Sequence, residues 1–501
     1  MNQHFPALII IVPLLAAFFI FAISWINRKL CFPIAVLALA ISFLSAIALL
    51  GMVLKNGPVE YRMGGWPPPW GISYYVDYLS ALVLVVVCTV ALINLIACRQ
   101  SVSREFADKI GPFFTLYVLF VTGLIGMVIT GDAFNLYVLL EIASLTGYAL
   151  IGMGKGDAAL FGLNYIFMGT VGASFYLLGI GYLYLITGSL NIADIASILP
   201  GIYGSKVVLV AFIFCITGLF LKMAFFPLHG WLPNAYTNAP SAAISLIAPL
   251  TTKVMIYVMI RIVLYLFTPS FSFEALHVAS VFVWLSAVAI VMGSLLALGQ
   301  KSLKRMLAYI IVAEVGYMAG GLWLGNTESI TGAILHLVND AAMTLCVFLA
   351  AGTLMFKIKP SLTGELQLDD LAGSFTKMPY TMAAFIMGAL SIIGVPPFCG
   401  FFSKWYLLSG AVTAGHYEFL AALLFSSLVN VVLFFRIIEI GYYEKPDHRA
   451  DAGHLIARMD EAPLEMLIPL LLVAAGLLAM GFYTDDIVTH VIRFAIPAGI
   501  V

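Results

Sequence analysis

The sequence predicts an all-α polytopic membrane protein with about 14 transmembrane helices, which form two inverted five-helix repeats and include two broken helices. Of its 501 residues, 62% are hydrophobic and only 10% are charged, whereas soluble domains are roughly 25% charged. Apolar stretches long enough to cross a bilayer, which takes about 20 residues, recur along the whole chain. Two of these stretches combine a proline with a lysine, a pattern typical of transporter helices that break near the membrane midplane.

Fourteen spans fit the sequence, and no soluble domain fits between them. The first span is too long for an excised signal peptide and has no basic region or cleavage site. The spans fall at about 5–27, 31–54, 75–98, 112–130, 132–152, 163–187, 206–228, 241–268, 278–299, 304–324, 330–355, 379–400, 417–442 and 464–483. They divide into an N-terminal three-helix segment (1–111), a first repeat (112–268), a second repeat (278–442) and a C-terminal loop with the last helix (443–501).

Lysine and arginine residues of the loops collect on one side of the predicted membrane. Alternate loops, beginning with the one between the first two spans, carry fifteen of them: Arg28, Lys29, Arg99, Arg104, Lys109, Lys155, Lys301, Lys304, Arg305, Lys357, Lys359, Lys377, Lys445, Arg449 and Arg458. The other side carries four: Lys55, Arg62, Lys206 and Arg493. Because positive loops face the cytoplasm, both termini are predicted on the non-cytoplasmic side of the cell (inner or plasma) membrane.

After the loops are counted, five lysine and arginine residues remain inside the predicted spans, and three acids join them at mid-span. They are Glu141, Lys222, Lys253, Arg261, Glu314, Asp340, Lys404 and Arg436. A charge at the centre of a membrane helix costs about 2.5–3.5 kcal/mol, so these residues must pair with one another or with water inside the bundle. Arg261 and Arg436 lie toward helix ends, and we expect their side chains to extend to the interface.

Proline interrupts two of the apolar helices beside a lysine. In GLFLKMAFFPLHGWL (218–232), Pro227 deprives the Met223 carbonyl of its helical partner next to Lys222. The freed carbonyl is predicted to accept a hydrogen bond from the ammonium or from water. The second break repeats this pattern in SIIGVPPFCGFFSKWYLL (391–408), with Pro396, Pro397 and then Lys404.

Similar offsets relate charged residues of the two halves, as two five-helix repeats require. The offsets are 182 residues from Lys222 to Lys404, 173 from Glu141 to Glu314, and 183 from Lys253 to Arg436. Acids and bases in such a series are typical of a proton relay through a dry bundle. The proton-conduction candidates are Glu141, Lys222, His229, Lys253, Glu314, His336, Asp340 and Lys404. A purely structural role is the alternative for each, and it stays open above all for Glu314, Asp340, His336 and His229.

Other chemistries have no support in the sequence. No CxxC pair and no phosphate-binding GxxxxGK[ST] motif occurs, so neither a metal site, a cofactor site nor direct ATP use is predicted. No basic patch points to nucleic acid. The glycine-rich segment GTVGASFYLLGIG (169–181) lies inside a span, where small residues favour close helix packing.

Three segments resemble the antiporter-like subunits shared by respiratory complex I, membrane-bound hydrogenases and Mrp-type sodium/proton antiporters. They are FNLYVLLEIASLTGYALIG (134–152), the long stretch 218–261, and GVPPFCGFFSKWYLL (394–408). The resemblance covers about residues 75–445. GGWPPPWGISYYVDYLSAL (64–82), LYLITGSLNIADIA (183–196) and the chain length look most like the D subunit of Mrp antiporters and its hydrogenase counterpart.

The resemblance implies fourteen helices, with Glu141, Lys222, Lys253 and Lys404 as conduction residues. The sequence departs from the family at NDAAMT (339–344), where members often carry NHALMK. Asp340 and Thr344 stand there in place of histidine and lysine, Glu314 supplies an acid in span 10, and Asn164 replaces a frequent lysine. Because Na⁺ prefers oxygen ligands, these carboxylates favour a visit by Na⁺.

Three functions are therefore open. The first is a proton-conducting subunit of a multisubunit monovalent cation (Na⁺)/proton antiporter, with other membrane subunits as partners. The alternative is a proton-pumping membrane subunit of a complex I-like NADH/quinone oxidoreductase or a membrane-bound hydrogenase, in which partner subunits hold the redox groups. The third is a membrane scaffold that conducts nothing. None of the three gives this chain a catalytic site of its own.

Overall fold

The computed structural model describes residues 4–359, 365–443, 459–497 and 500. Within them the chain forms twenty α-helices and one antiparallel β-hairpin. The helices are α1 (Phe5–Ser24), α2 (Cys31–Asn56), α3 (Tyr78–Ala97), α4 (Arg99–Glu105), α5 (Ile110–Ile129), α6 (Ala133–Gly152), α7 (Ala158–Thr187), α8 (Ile192–Ile198), α9 (Lys206–Lys222), α10 (Trp231–Asn238), α11 (Ser241–Arg261), α12 (Ala279–Leu298), α13 (Leu303–Trp323), α14 (Thr327–Ile358), α15 (Ser374–Lys377), α16 (Pro379–Ile393), α17 (Cys399–Ala414), α18 (Tyr417–Tyr443), α19 (Leu464–Phe482) and α20 (Thr484–His490). The hairpin pairs β1 (Val59–Arg62) with β2 (Ser73–Val76), placing Val59 opposite Val76.

The structure confirms the all-α polytopic membrane class. Among the described residues, 12 helices are long and apolar enough to cross a membrane. The two other predicted spans, 206–228 and 379–400, match α9 and α16, which the breaks leave with 17 and 15 residues. The count of fourteen therefore depends on how these broken helices cross the bilayer and stays a prediction, as do the inverted repeats and the four segment boundaries.

Small residues let α7 pack directly against α9. A Cβ atom on Gly172 would lie 3.1 Å from the Gly218 carbonyl oxygen, and one on Gly179 would lie 2.4 Å from the sulfur of Cys215. Only glycine allows the two helix backbones to approach this closely. The glycine-rich segment 169–181 is thus a helix-packing surface, as predicted. This packing fixes the end of α9, and with it Lys222, against the bundle.

Both predicted breaks are present, although the first begins earlier than expected. Helix α9 already ends at Lys222, five residues before Pro227, and α10 starts at Trp231. In the second break, α16 ends at Ile393, and Gly394 has the left-handed conformation with φ 92°. In a left-handed residue the chain turns out of the helix, which glycine tolerates without a steric penalty.

Ala224, inside the first break, has φ 58° and is fully buried. A left-handed backbone is strained for any residue with a Cβ atom and worst for a β-branched one. We therefore expect Ala224→Val to lower the stability of the protein by about 1–3 kcal/mol, whereas Ala224→Gly relieves the strain. Thermal unfolding of the two purified variants measures this difference, and equal melting temperatures for both would contradict it.

The loops contain one departure from the predicted distribution of charge. Lys304 lies in the first turn of α13 and is buried. Its ammonium donates a hydrogen bond of 3.0 Å to the Ala239 carbonyl, which satisfies the charge there. Three other cations in the predicted topology, Lys445, Arg449 and Arg458, lie outside the described residues.

Candidate functional site

Helix α9 ends at Lys222, whose ammonium lies inside the bundle and contacts three side chains of α6. Its Nζ lies 3.3 Å from Glu141 Oε1, and it donates hydrogen bonds of 2.8 Å to Ser144 Oγ and 3.2 Å to Tyr148 Oη. The Lys222 side chain is 4% exposed and that of Glu141 is 22% exposed. The acid therefore reaches the outer surface of the chain while the base stays inside. The sequence indicates this site, since residues 141, 144 and 148 lie on one helical face.

The prediction that the ammonium bonds the freed carbonyl is wrong for Lys222, where water stays the other predicted partner, and fits Lys404. Lys222 donates to α6, as described above, whereas Lys404 Nζ donates to the carbonyls of Ile392 (2.8 Å) and Ile393 (3.2 Å) and to Ser427 Oγ (3.0 Å). The reason is geometric, since helical side chains lean toward the N-terminus of their helix. Lys222 precedes its break and leans away from it. Lys404 follows its break and leans back into it.

A small cavity lies between Lys222 and α11. Its volume is about 20 Å³, and Ser144, Tyr165, Lys222 and Thr251 are among its lining residues. A cavity of this size holds about one water molecule. The Thr251 hydroxyl is buried and has no hydrogen-bond partner among the described residues. One water molecule there would connect the first lysine to the helix that carries the second.

Lys253 lies fully buried at the centre of α11 and forms an ion pair with α14. Its Nζ is 2.9 Å from Asp340 Oδ2 and donates a hydrogen bond of 3.2 Å to Thr344 Oγ1. Thr344 in turn donates 2.7 Å to Asp340 Oδ1. Asp340 and Thr344, two of the departures from the family pattern, thus form one ion-paired group with Lys253.

Glu314 extends this group from α13. It is buried, and its carboxyl interacts electrostatically with Asp340, Lys253 and Lys404. Two carboxyl groups this close share a proton more readily than both ionise. Two ammonium and two carboxyl groups from four helices therefore meet in one buried cluster, which we call the central cluster (Lys253, Glu314, Asp340 and Lys404).

His336 adjoins the central cluster, whereas His229 does not. The His336 ring is buried one helical turn before Asp340, and its Nδ1 lies 2.9 Å from Ser403 Oγ, next to Lys404. His229 lies in the first break, where it stacks on Phe226 at 5.1 Å. Its contacts in the described structure include none with the central cluster. The eight sequence candidates thus divide into the Lys222–Glu141 pair, the central cluster with His336, and His229 apart.

One buried ion pair was missed by the sequence interpretation. Arg261, predicted to extend to the interface, is buried and forms a bidentate ion pair with Asp77. Arg261 also donates 2.8 Å to Tyr257 Oη. Asp77 caps α3 and accepts a 2.9 Å hydrogen bond from the Ser80 backbone N–H. An aspartate directly before an apolar run, with serine three residues later, is a helix-capping signal that marks Asp77 in the sequence.

Among the described residues no group of three or more His, Cys, Asp or Glu side chains is arranged to hold a metal ion. Each ammonium of Lys222, Lys253 and Lys404 faces a carboxylate, a hydroxyl or a backbone carbonyl. Such a site can take up, hold and release protons. In these contacts the cations beside the carboxylates are lysines of this chain.

Comparison with known proteins identifies the family of this chain. Residues 130–430 match a family described as NADH:quinone oxidoreductase/Mrp antiporter, transmembrane. The chain is 41% identical to the NADH-quinone oxidoreductase subunit N of Desulforudis audaxviator, covering 99% of both chains. It is 29% identical to the D subunit of the Na(+)/H(+) antiporter of Bacillus subtilis, covering 90% of this chain and 91% of that one.

A solved structure extends the likeness to three dimensions. A chain of the membrane-bound sulfane sulfur reductase, an archaeal respiratory membrane complex, superposes with a TM-score of 0.88 at 30% identity, over 97% of this chain and 96% of that one. The family resemblance predicted from the motifs is thereby confirmed. The motifs predict a closer likeness to the D subunit of Mrp antiporters. The 29% identity to that subunit is lower than the 41% identity to subunit N, so the identities do not favour this prediction. The chain belongs to the NADH:quinone oxidoreductase/Mrp antiporter transmembrane family and is an antiporter-like membrane subunit.

Proposed function

We propose that this chain conducts protons through the membrane as one subunit of a multisubunit complex. The observation that carries the proposal is the buried series of paired acids and bases. It runs from Glu141 and Lys222 to the central cluster across the small cavity at Thr251. A scaffold has no use for it, because apolar residues of similar volume usually stabilise a core as well as a buried ion pair does.

Each ion pair works as a switch in this mechanism. A lysine holds its proton while a carboxylate lies beside it and releases the proton when that carboxylate moves away or is itself protonated. Glu141 is the one acid of the relay that reaches the chain's surface. A neighbouring subunit that draws Glu141 away from Lys222 would therefore drive the Lys222 proton toward α11.

A redox-driven respiratory complex is the assembly that the identities favour. The 41% identical relative is named as a subunit of an NADH-quinone oxidoreductase, and the superposed structure belongs to a respiratory membrane complex. In such an assembly the energy for proton movement comes from partner subunits.

A monovalent cation/proton antiporter is the second candidate, and the carboxyl pair of Glu314 and Asp340 is the observation that favours it. Carboxylate oxygens are the ligands that Na⁺ prefers, and the 29% identical relative is named as part of an Na(+)/H(+) antiporter. Purification from native membranes in mild detergent separates the two. Iron–sulfur or flavin subunits in the complex support the first, and exclusively membrane subunits support the second.

Replacing Lys222 by methionine tests proton conduction itself. We expect Lys222→Met to reduce proton flux in vesicles holding the purified complex by at least about tenfold, because the group that carries the proton is gone. Lys206→Met, at the exposed start of the same helix, is the matched control and should leave flux unchanged. Wild-type flux in an assembled Lys222→Met complex would refute the proposal.

A further inference from the structure

A cavity of about 430 Å³ with a partly polar lining lies on the side of the membrane where the basic loops are predicted. It is formed where the ends of α4, α6, α10 and α14, the starts of α7, α11 and α13, and the loop before α15 come together. Its polar lining includes Glu105, Lys155, Asp157, Ser241, Lys304 and Glu365. Lys155 and Asp157 are exposed, whereas Lys304 is buried. The cavity therefore leads from the surface into the bundle.

Glu105 is the group in this cavity whose hydrogen bonding is incomplete. Its Oε2 is buried and has no hydrogen-bond partner among the described residues. Burial raises the pKa of Glu105 above its ordinary value of 4.5, against the opposing effect of the ammonium groups of Lys304 and Lys155. The groups around it are Lys304 from α13, Lys155 from the loop after α6, Cys98 from the end of α3, and Asp157 and Glu365 on the cavity wall.

Helix α11 connects this cavity to the central cluster, with polar side chains near the cavity and again beside Lys253. The helix begins at Ser241 in the cavity wall, and Ser245 Oγ donates 2.9 Å to the Ser241 carbonyl. Thr252, further along, is fully buried and its hydroxyl has no hydrogen-bond partner within the described part of the chain. Lys253 follows directly, about 18 Å from Ser241 at 1.5 Å per residue.

The opposite end of α11 is closed. Arg261 is held by both carboxylate oxygens of Asp77, and Tyr257 Oη donates 2.6 Å to the Val128 carbonyl. The donors of both side chains are thus already in hydrogen bonds, and arginine does not release its proton in proteins. Along α11, Lys253 is thus approached by polar groups from the cavity end, while an ion pair blocks the other end.

We propose that Glu105 is the proton-loading carboxyl of this chain, taking protons from water in the cavity and passing them along α11 toward Lys253. The inference rests on the proposed function, since it supplies the proton that the relay moves. In each cycle the carboxylate accepts a proton from water on the basic-loop side and returns to the carboxylate when that proton moves inward. The lysines facing Glu105 repel a metal cation, so the site takes a proton rather than Na⁺.

Proton flux of the intact complex in vesicles, measured against the pH of the basic-loop side, tests the proposal. We expect Glu105→Gln to lower flux by at least about tenfold at pH 8, where direct capture of protons from water is slow, and much less at pH 6. Glu105→Asp should restore most of the flux. Asp108→Asn, which changes an exposed carboxylate on the same side of the membrane but outside this cavity, is the matched control and should match the wild type.

Water access gives a second readout that does not depend on flux. The six native cysteines are all buried, so Glu105→Cys should react with a membrane-impermeant thiol reagent from the basic-loop side alone. Labelling from the opposite side, or from neither side, would overturn the proposal.

Wild-type flux in Glu105→Gln at every pH would also overturn the loading role, and so would an equal loss at pH 6 and pH 8. If Lys222→Met abolishes flux while Glu105→Gln does not, the loading role alone fails. If the wild-type complex moves no protons that depend on Lys222, the proposed function fails, and labelling of Glu105→Cys still reports on the cavity.

Discussion

Lys253→Met is expected to abolish proton flux and to destabilise the protein by about 3–5 kcal/mol, the usual cost of leaving one partner of a buried ion pair alone. The partner is Asp340, which is completely buried and 2.9 Å from the ammonium. Thr344 cannot compensate, since one hydroxyl satisfies one oxygen of the carboxylate. Vesicle flux assays and thermal unfolding of the purified complex measure the two effects separately.

A double variant distinguishes a conducting lysine from a structural one. Lys253→Met with Asp340→Asn removes both charges, so most of the lost stability should return. Proton flux should stay lost, because neither remaining side chain exchanges a proton near neutral pH. If the double variant regains flux together with stability, Lys253 serves the fold rather than conduction.

Much of the fold follows from the sequence, because the bilayer fixes the length of an apolar helix. The span predicted at 241–268 is observed as α11 and its π-helical extension to Leu266, and the span at 464–483 is α19. The exact position of a break does not follow in the same way. Proline removes one helical hydrogen bond and can bend or break a helix near its own position, yet Pro249 and Pro469 lie inside α11 and α19, and α9 ends five residues before Pro227. Packing, not proline alone, decides where the chain turns.

The candidate site was predictable in composition but only partly in pairing. A buried charge needs a partner, so Lys222, Lys253 and Lys404 required neighbours from other helices. Which neighbours they find depends on which way each side chain leans and which helix lies opposite. The direction of lean alone explains why Lys404 bonds freed carbonyls and Lys222 does not. The cavity at Glu105 could not be predicted from the sequence, since it forms from segments far apart in the chain.

The second large effect is expected at Arg261, where methionine should lower the free energy of unfolding by about 3–5 kcal/mol. The substitution leaves Asp77 buried without its counter-charge at the start of α3. Arg436→Met is the matched control, since Arg436 is also an arginine near the end of a membrane helix but is exposed on α18. Exposed positions rarely change stability by more than about 0.5 kcal/mol. Comparable losses of thermal stability in both variants would contradict this assignment.

The pH dependence of this ion pair follows from Asp77. Burial alone would raise the pKa of Asp77, but the Arg261 guanidinium and the hydrogen bonds from Ser80 outweigh burial and hold it below its ordinary 3.8. A carboxyl whose pKa is lower in the folded than in the unfolded protein contributes its full stability above the unfolded value and loses it as the pH falls through the folded value. In the Arg261→Met variant the guanidinium no longer opposes burial, so the Asp77 carboxyl takes up a proton more readily as the pH falls. Thermal unfolding should therefore show the largest difference between Arg261→Met and the wild type at pH 8 and a smaller one at pH 5. A difference that stays the same from pH 8 to pH 5 would mean that the charge of Asp77 is not involved, and that Arg261 stabilises the protein through packing on Tyr257 and Tyr265 instead.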